Sequence, residues 1–248
     1  MVGLSVNSSV RRHRRATIWI GGMSLLILIG LFIGYPYLTA LDNGVMTLVQ
    51  EHRQPALDEI AVTLTLIGEF RNMLLFSALL VILLVLCKQW RQAMFAGATM
   101  LVTAMANTGT KYFFARVRPE VLSDPLTTYS MPSGHASGAF ALFLTLGVLA
   151  GRGQPPRMRL TWLLIACIPA LSIALSRVYL GAHWPTDILA GAMLASCVCA
   201  AMLWLSQRQA SLNAMPFKIW WLILPSMVAL FGFFVLRHLP HTLLRYAY

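Results

Sequence analysis

Seven apolar runs divide this chain and decide what it can fold into. They lie at about 17–38, 72–87, 92–112, 136–151, 160–180, 187–206 and 217–236. A helix needs roughly 20 apolar residues to cross about 30 Å of hydrocarbon, and these runs are continuous rather than alternating with polar residues. Only 11% of the 248 residues are charged, against about 25% in soluble domains. The sequence therefore predicts an all-α fold, a polytopic transmembrane helical bundle of six or seven spans. One domain over 1–248 is expected, since dividing it would leave helices with no bundle to join. The run at 217–236 is either a seventh span or a helix along the inner surface.

The direction of threading follows from charge. Arg11-Arg12-His13-Arg14-Arg15 precedes the first run. That run is too long for a signal peptide, and no small-residue cleavage site follows it cleanly. With the N-terminus inside, the internal segments hold Arg11, Arg12, Arg14, Arg15, Lys88, Arg91, Arg152, Arg157, Arg159, Arg208 and Lys218, and no acid. All 8 acids fall in external segments. Lys and Arg mark the cytoplasmic side, so the expected orientation has a cytoplasmic N-terminus.

The net charge of +11 does not imply nucleic-acid binding. Its basic residues are distributed by topology, and none form the run interleaved with exposed aromatics that such a surface would show. Cys87, Cys167, Cys197 and Cys199 lie in apolar runs, with neither metal-ligand nor disulfide spacing. The external loop 39–70 predicts two features. Asp42 caps a short helix. After Pro55, Leu57, Ile60, Leu64 and Ile67 recur at helical spacing up to Gly68, which fits either an interfacial amphipathic helix or a simple hairpin filler at the bundle rim.

Three polar clusters share the external end. Lys111, Arg116 and Arg118-Pro119 follow the third run; Pro132-Ser133-Gly134-His135 precedes the fourth; Ser176-Arg177, His183 and Asp187 lie between the fifth and sixth. Lys111, Arg118 and Arg177 suit an anion with several oxygens, and Arg can hold phosphate bidentately. Ser133 stands at an N-cap, where free backbone N–H groups bind phosphate, and Gly134 allows close backbone approach. Pro185 starts the sixth helix, leaving His183 just before it and Asp187 in its first turn. A carboxylate four residues after a histidine can orient the imidazole and stabilise its charged form. Arg116 reads as a cation snorkelling to head groups. A zinc site on His135, His183 and Asp187 is disfavoured by the neighbouring cations.

Together these motifs resemble the type 2 phosphatidic acid phosphatase superfamily: Lys111-x6-Arg118-Pro119, Pro132-Ser133-Gly134-His135, then Ser176-Arg177-x5-His183-x3-Asp187, in order, with core motifs over 111–187. The resemblance implies metal-independent hydrolysis of a lipid phosphate or pyrophosphate through a phosphohistidine, with no cofactor. His183 would be the nucleophile and Asp187 its orienting partner. His135 would protonate the leaving group and then activate water. Lys111, Arg118, Arg177, Ser133 and the Gly134 amide would hold the phosphoryl oxygens.

The chain resembles bacterial members, which implies the cytoplasmic membrane, an active site facing the periplasm, a lipid phosphate substrate within the bilayer and no obligate protein partner. Undecaprenyl pyrophosphate is the favoured substrate. Phosphatidylglycerol phosphate, phosphatidate and the lipid A 1-phosphate are further candidates, and phosphoryl transfer between lipids uses the same residues. A non-enzymatic transporter or assembly factor is the other reading; the runs carry neither a mid-membrane charge nor paired broken helices. A neutral His183 and a protonated His135 predict a bell-shaped pH profile. Head-group choice is expected to lie in 39–70 and 120–130.

Overall fold

The computed structural model describes residues 2–121, 128–207 and 212–246, with side chains from 15 to 244 within them. Asp124 and Arg208, both part of the charge pattern, lie outside the described residues, as do 122–127 of the expected head-group segment.

Every apolar run is a helix. In order they are α1 (Val2–Gly34), a 3₁₀ turn (Tyr35–Leu38), α2 (Thr39–Glu51), α3 (Pro55–Gly68), α4 (Phe70–Leu86), α5 (Trp90–Phe114), α6 (Gly134–Ala150), α7 (Pro156–Tyr179), α8 (Pro185–Ser206) and α9 (Phe217–Tyr246). There is no strand among the described residues. Pro occupies the first helical positions of α3, α7 and α8, where its missing N–H costs nothing.

Four stretches are long and apolar enough to cross a membrane: Arg15–Glu51, α7, α8 and Phe217–Leu244 of α9. Helices α3 and α4, bent by 56° at their junction, make a fifth when taken together. The chain is thus a multi-pass membrane protein. Helix α5 has length enough at 25 residues, but buries Gln92, Thr99, Thr103 and Asn107. Helix α6 has only 17 residues. Both sit among other helices; α6 touches α3, α4, α5, α7 and α8. A helix walled by protein does not need a lipid-compatible surface all round.

Small residues let the helices approach. Ala136, Ala139, Ala141, Ala170, Ala174, Ala192 and Ala195 form one buried cluster where α6, α7 and α8 meet. A Cβ on Gly191 would stand 2.7 Å from the Ser133 carbonyl oxygen, so α8 touches the start of α6 backbone to backbone. Such contacts drive association where lipid is as apolar as the side chains. Many large apolar residues point outward, among them Trp19, Leu26 and Ile33 on α1, Leu164 and Ile168 on α7, and Val228 and Leu236 on α9.

Helix α3 shows both kinds of surface. Its limits are as expected, from Pro55 to Gly68. Its buried side chains, however, are Ala61, Val62, Thr65 and Leu66, while Leu57 and Ile60 are exposed. Gly68 ends the helix for a packing reason: a Cβ there would meet Ile173 Cγ2 at 2.5 Å and His135 Cδ2 at 2.9 Å.

The two ends of the bundle differ. At one end Arg91 donates to the Ser206 carbonyl, Gln92 to the Asn213 carbonyl, and Gly153 lies against Ala214. Helix α5 carries the chain about 30 Å from Arg91 to Lys111, at 1.5 Å per residue. The three polar clusters meet at that far end.

Candidate active site

A turn built from residues 176–187 presents His183. Helix α7 ends at Tyr179, and Gly181 takes φ +68°. The Gly181 N–H donates to the Val178 carbonyl at 2.9 Å, and the Ala182 N–H reaches back to the Arg177 carbonyl at 2.9 Å. This is the Schellman closure, which needs a residue free to be left-handed. It folds His183 back so that its own N–H also donates to the Arg177 carbonyl, at 3.2 Å. Helix α8 then starts at Pro185. The Asp187 carboxylate reaches back to accept the Trp184 N–H at 2.9 Å, the reciprocal half of a capping box.

His183 is 1% exposed and Arg177 is 1% exposed. Both line a cavity of about 800 Å³ together with Lys111, Arg118, Gly134 and His135. The convergence expected from topology is therefore observed. Ser133 and Asp187 are wholly buried behind the wall. Ser133 is the N-cap of α6, as expected: its Oγ accepts the Ala136 N–H at 3.4 Å, and its N–H donates to the Asp187 carbonyl at 3.0 Å.

The two imidazole nitrogens of His183 face different surroundings. Arg118 Nη1 donates to Nε2 at 2.9 Å. A guanidinium has no acceptor, so Nε2 carries the lone pair and Nδ1 the proton. Nδ1 lies 3.4 Å from Asp187 Oδ2 and 3.4 Å from Ser130 Oγ. Ser130 also donates to Asp187 Oδ2, so it stands beside both members of the pair. Burial, and then Arg118, Arg177 and Lys111, hold the His183 pKa well below the ordinary imidazole range. A neutral ring with its lone pair toward the cavity has the form that nucleophilic attack needs.

His135 sits in the first turn of α6, ahead of the apolar stretch, and also lines the cavity. Burial, and then Arg177, His183, Arg118 and Lys111, push its pKa well down. The resting site thus holds both histidines neutral. The protonated His135 expected from the sequence requires the negative charge that a bound phosphate brings.

The cavity cations are positioned by neutral oxygens. Lys111 Nζ donates to the Tyr129 carbonyl at 2.5 Å. Arg118 donates to the Thr128 and Ala182 carbonyls at 2.6 and 2.7 Å. Arg177 Nη1 donates to Thr65 Oγ1 of α3 at 2.5 Å. Sequence reasoning missed Thr65, Ser130 and Asn107, which donates to Ser137 Oγ at 2.9 Å beside Gly134. Small polar residues in apolar surroundings were the available signal.

Two further expectations are corrected. Arg116 is no snorkelling cation: it is 8% exposed and binds Asp187 Oδ1 at 2.7 Å and Asp42 Oδ2 at 2.6 Å. Asp42 does not cap its own helix. It lies in the first turn of α2 and caps α8 instead, accepting the Thr186 N–H at 3.0 Å.

The cavity mouth is formed by Glu69 and Phe70 at the α3–α4 bend and by His241 and Thr242 of α9. Helix α9 extends ten residues beyond the expected 217–236 and ends beside the site. Among the described residues no group of three His, Cys, Asp or Glu side chains could hold a metal ion. Asp187 in particular is engaged by Arg116, Ser130 and Trp184.

Residues 92–211 match the PAP2 superfamily. It is 38% identical over 100 residues to an undecaprenyl-diphosphatase of Sulfolobus acidocaldarius, covering 36% of this chain and 43% of that protein. It is 28% identical over 148 residues to phosphatidylglycerophosphatase B of Bacillus subtilis, covering 56% of this chain and 70% of that one. The chain spans less than half the length of the first of these relatives. In fold it is similar to the crystal structure of a transmembrane PAP2 type phosphatidylglycerolphosphate phosphatase from Bacillus subtilis, with a TM-score of 0.66 at 22% identity. That likeness covers 74% of this chain and 94% of the other.

Proposed function

We propose that this protein is a membrane lipid phosphatase that works through a phosphohistidine at His183, without a metal or other cofactor. The observation that carries the reading is the pair of contacts on one imidazole: Arg118 on Nε2 at 2.9 Å, and Asp187 with Ser130 at Nδ1.

Arg118 turns to the phosphate, and Nε2 attacks phosphorus. The Nε2–P bond forms as the P–O bond to the leaving group breaks, and His135 supplies the proton to the leaving oxygen. Water then attacks phosphorus, gives its proton to His135, and releases phosphate from Nε2. The transition state spreads charge over equatorial oxygens. Lys111, Arg118, Arg177 and the Gly134 amide are the donors for that charge. Ser133 contributes by fixing the start of α6.

The favoured substrate is undecaprenyl pyrophosphate, supported by the undecaprenyl-diphosphatase relative. The reading also takes six or seven spans, a bacterial cytoplasmic membrane, a cytoplasmic N-terminus and a site open to the periplasm. The charge segregation supports that orientation, since every acid falls on the site's side of the threading.

The test is phosphate release by purified, detergent-solubilised protein in excess chelator, offered undecaprenyl pyrophosphate, phosphatidate, phosphatidylglycerol phosphate and lipid A. Release that falls at least about 10⁴-fold in His183→Ala supports the mechanism, and the preferred lipid names the substrate. Release that needs an added metal overturns it. Labelled phosphate found on an acceptor lipid instead of in solution replaces hydrolysis by transfer.

A further inference from the structure

Behind His183, away from the cavity, lies a closed set of charges that the mechanism above does not use. Asp42 of α2 and Asp187 of α8 hold one guanidinium, that of Arg116, between them. Thr186 ties the set together: its hydroxyl donates to Asp42 Oδ2 at 2.6 Å and accepts from Arg116 Nη1 at 2.7 Å. The guanidinium also lies over the rings of Tyr35 and Trp184, at 5.0 and 5.7 Å from their centroids. Both carboxylates are wholly buried.

We propose that Asp42 is a positioning residue for catalysis, acting through Arg116 to keep Asp187 a net anion beside His183. The proposal rests on the phosphohistidine reading. Arg116 alone would neutralise Asp187. Two carboxylates on one guanidinium leave a surplus negative charge, and Asp187 directs its second oxygen to the Nδ1 side of His183. That surplus matters most when Nε2 bonds to phosphorus, because the ring then becomes cationic. A charge placed for that moment lowers the barrier more than it tightens substrate binding. The groups that His183 feels from the other side are Arg118, Arg177 and Lys111, and His135 feels the same three. The negative charge behind the ring thus offsets a positive wall in front. Asp42 lies outside the matched stretch 92–211, so the matched domain by itself lacks it.

The experiment compares Asp42→Asn, Asp42→Glu and the double variant Asp42→Asn/Arg116→Gln in the full-length protein. Lipid turnover and the affinity for orthovanadate, a five-coordinate phosphoryl mimic, are both measured. Asn can still accept the Thr186 N–H, so the cap is kept while the charge is lost. Asp42→Asn is expected to lower kcat about 10- to 100-fold, the range for groups acting through a first ligand. KM should stay within about 2-fold, because the surplus charge acts on the transition state, and vanadate should weaken about 10-fold for the same reason. The double variant removes the cation too, restores the formal charge of the set, and is expected to recover part of the loss. Asp42→Glu should recover more than Asn.

If Asp42 merely caps α8, the double variant will be at least as impaired as Asp42→Asn, and the proposal is overturned. It is equally overturned by wild-type kcat and vanadate affinity in Asp42→Asn, an outcome that leaves the phosphatase reading intact. No lipid turnover in the wild type overturns the phosphatase reading and this proposal with it, even where vanadate binds. A wild type that neither turns over lipid nor binds vanadate overturns both.

Discussion

The two faces of His183 use the same kind of residue in opposite ways. On the cavity side, Lys111, Arg118 and Arg177 each donate to carbonyl or hydroxyl oxygens, which fix a cation's position. On the far side, Arg116 is steadied by two carboxylates, which more than cancel it. Position along the chain does not separate these roles, since Arg116 and Arg118 are two residues apart. The partner does: a cation held by neutral acceptors remains available to an anion, whereas one held by carboxylates has become part of the scaffold.

The sharpest way to break this comparison is to truncate one cation from each side. Arg118→Gln should cost roughly 100- to 1,000-fold in kcat/KM and leave the thermal midpoint nearly unchanged. Arg116→Gln should act first on stability, by about 3–5 kcal/mol, because it leaves buried carboxylates without their cation. Thermal unfolding in detergent beside turnover reads both. A large Tm loss in the Arg118 variant with none in the Arg116 variant would reverse the assignment.

A smaller effect tests the second histidine. His135→Ala should slow phosphate monoesters about 100-fold, and pyrophosphates less, because a phosphate leaving group needs its proton less than an alkoxide does. Equal losses on both substrates would remove His135 as the acid. The pH profile follows from the basic front wall. Because His183 is held neutral well below the ordinary imidazole range, kcat/KM should stay level down through pH 6.5, after allowance for the substrate's own ionisation. Protonation of His183 at still lower pH then removes activity. His135 gains its proton only with phosphate bound, so the alkaline limb of the bell belongs to kcat, which reports the complex. An acid limb near pH 6.5 belonging to His183 would contradict the wall's electrostatics. Smallest of all, Glu69→Gln at the cavity mouth should change the ratio of rates between head groups less than about 5-fold, as expected of an exposed charge screened by solvent.

Much of this was legible in the sequence because the relevant signals are local. Apolar runs became helices, alternating direction brought three loops to one end, and Pro185 and Ser133 began helices where expected. What stayed hidden depended on distant partners. Arg116 looks like any interfacial cation until Asp42 and Asp187, 74 and 71 residues away, are beside it. Asp42 looks like a cap for the helix it sits in, and it caps another. Thr65 and Ser130 carry no motif of their own. On α3, Leu57 and Ile60 are exposed while Val62 and Leu66 are buried, a division that depends on the helices packed against it.

Helix α9 contributes His241 and Thr242 to the mouth of a cavity whose catalytic groups all lie before residue 188. Chains are synthesised from the N-terminus at about 5–20 residues per second. His183, Asp187 and the cavity cations therefore leave the ribosome seconds before His241 and Thr242 do.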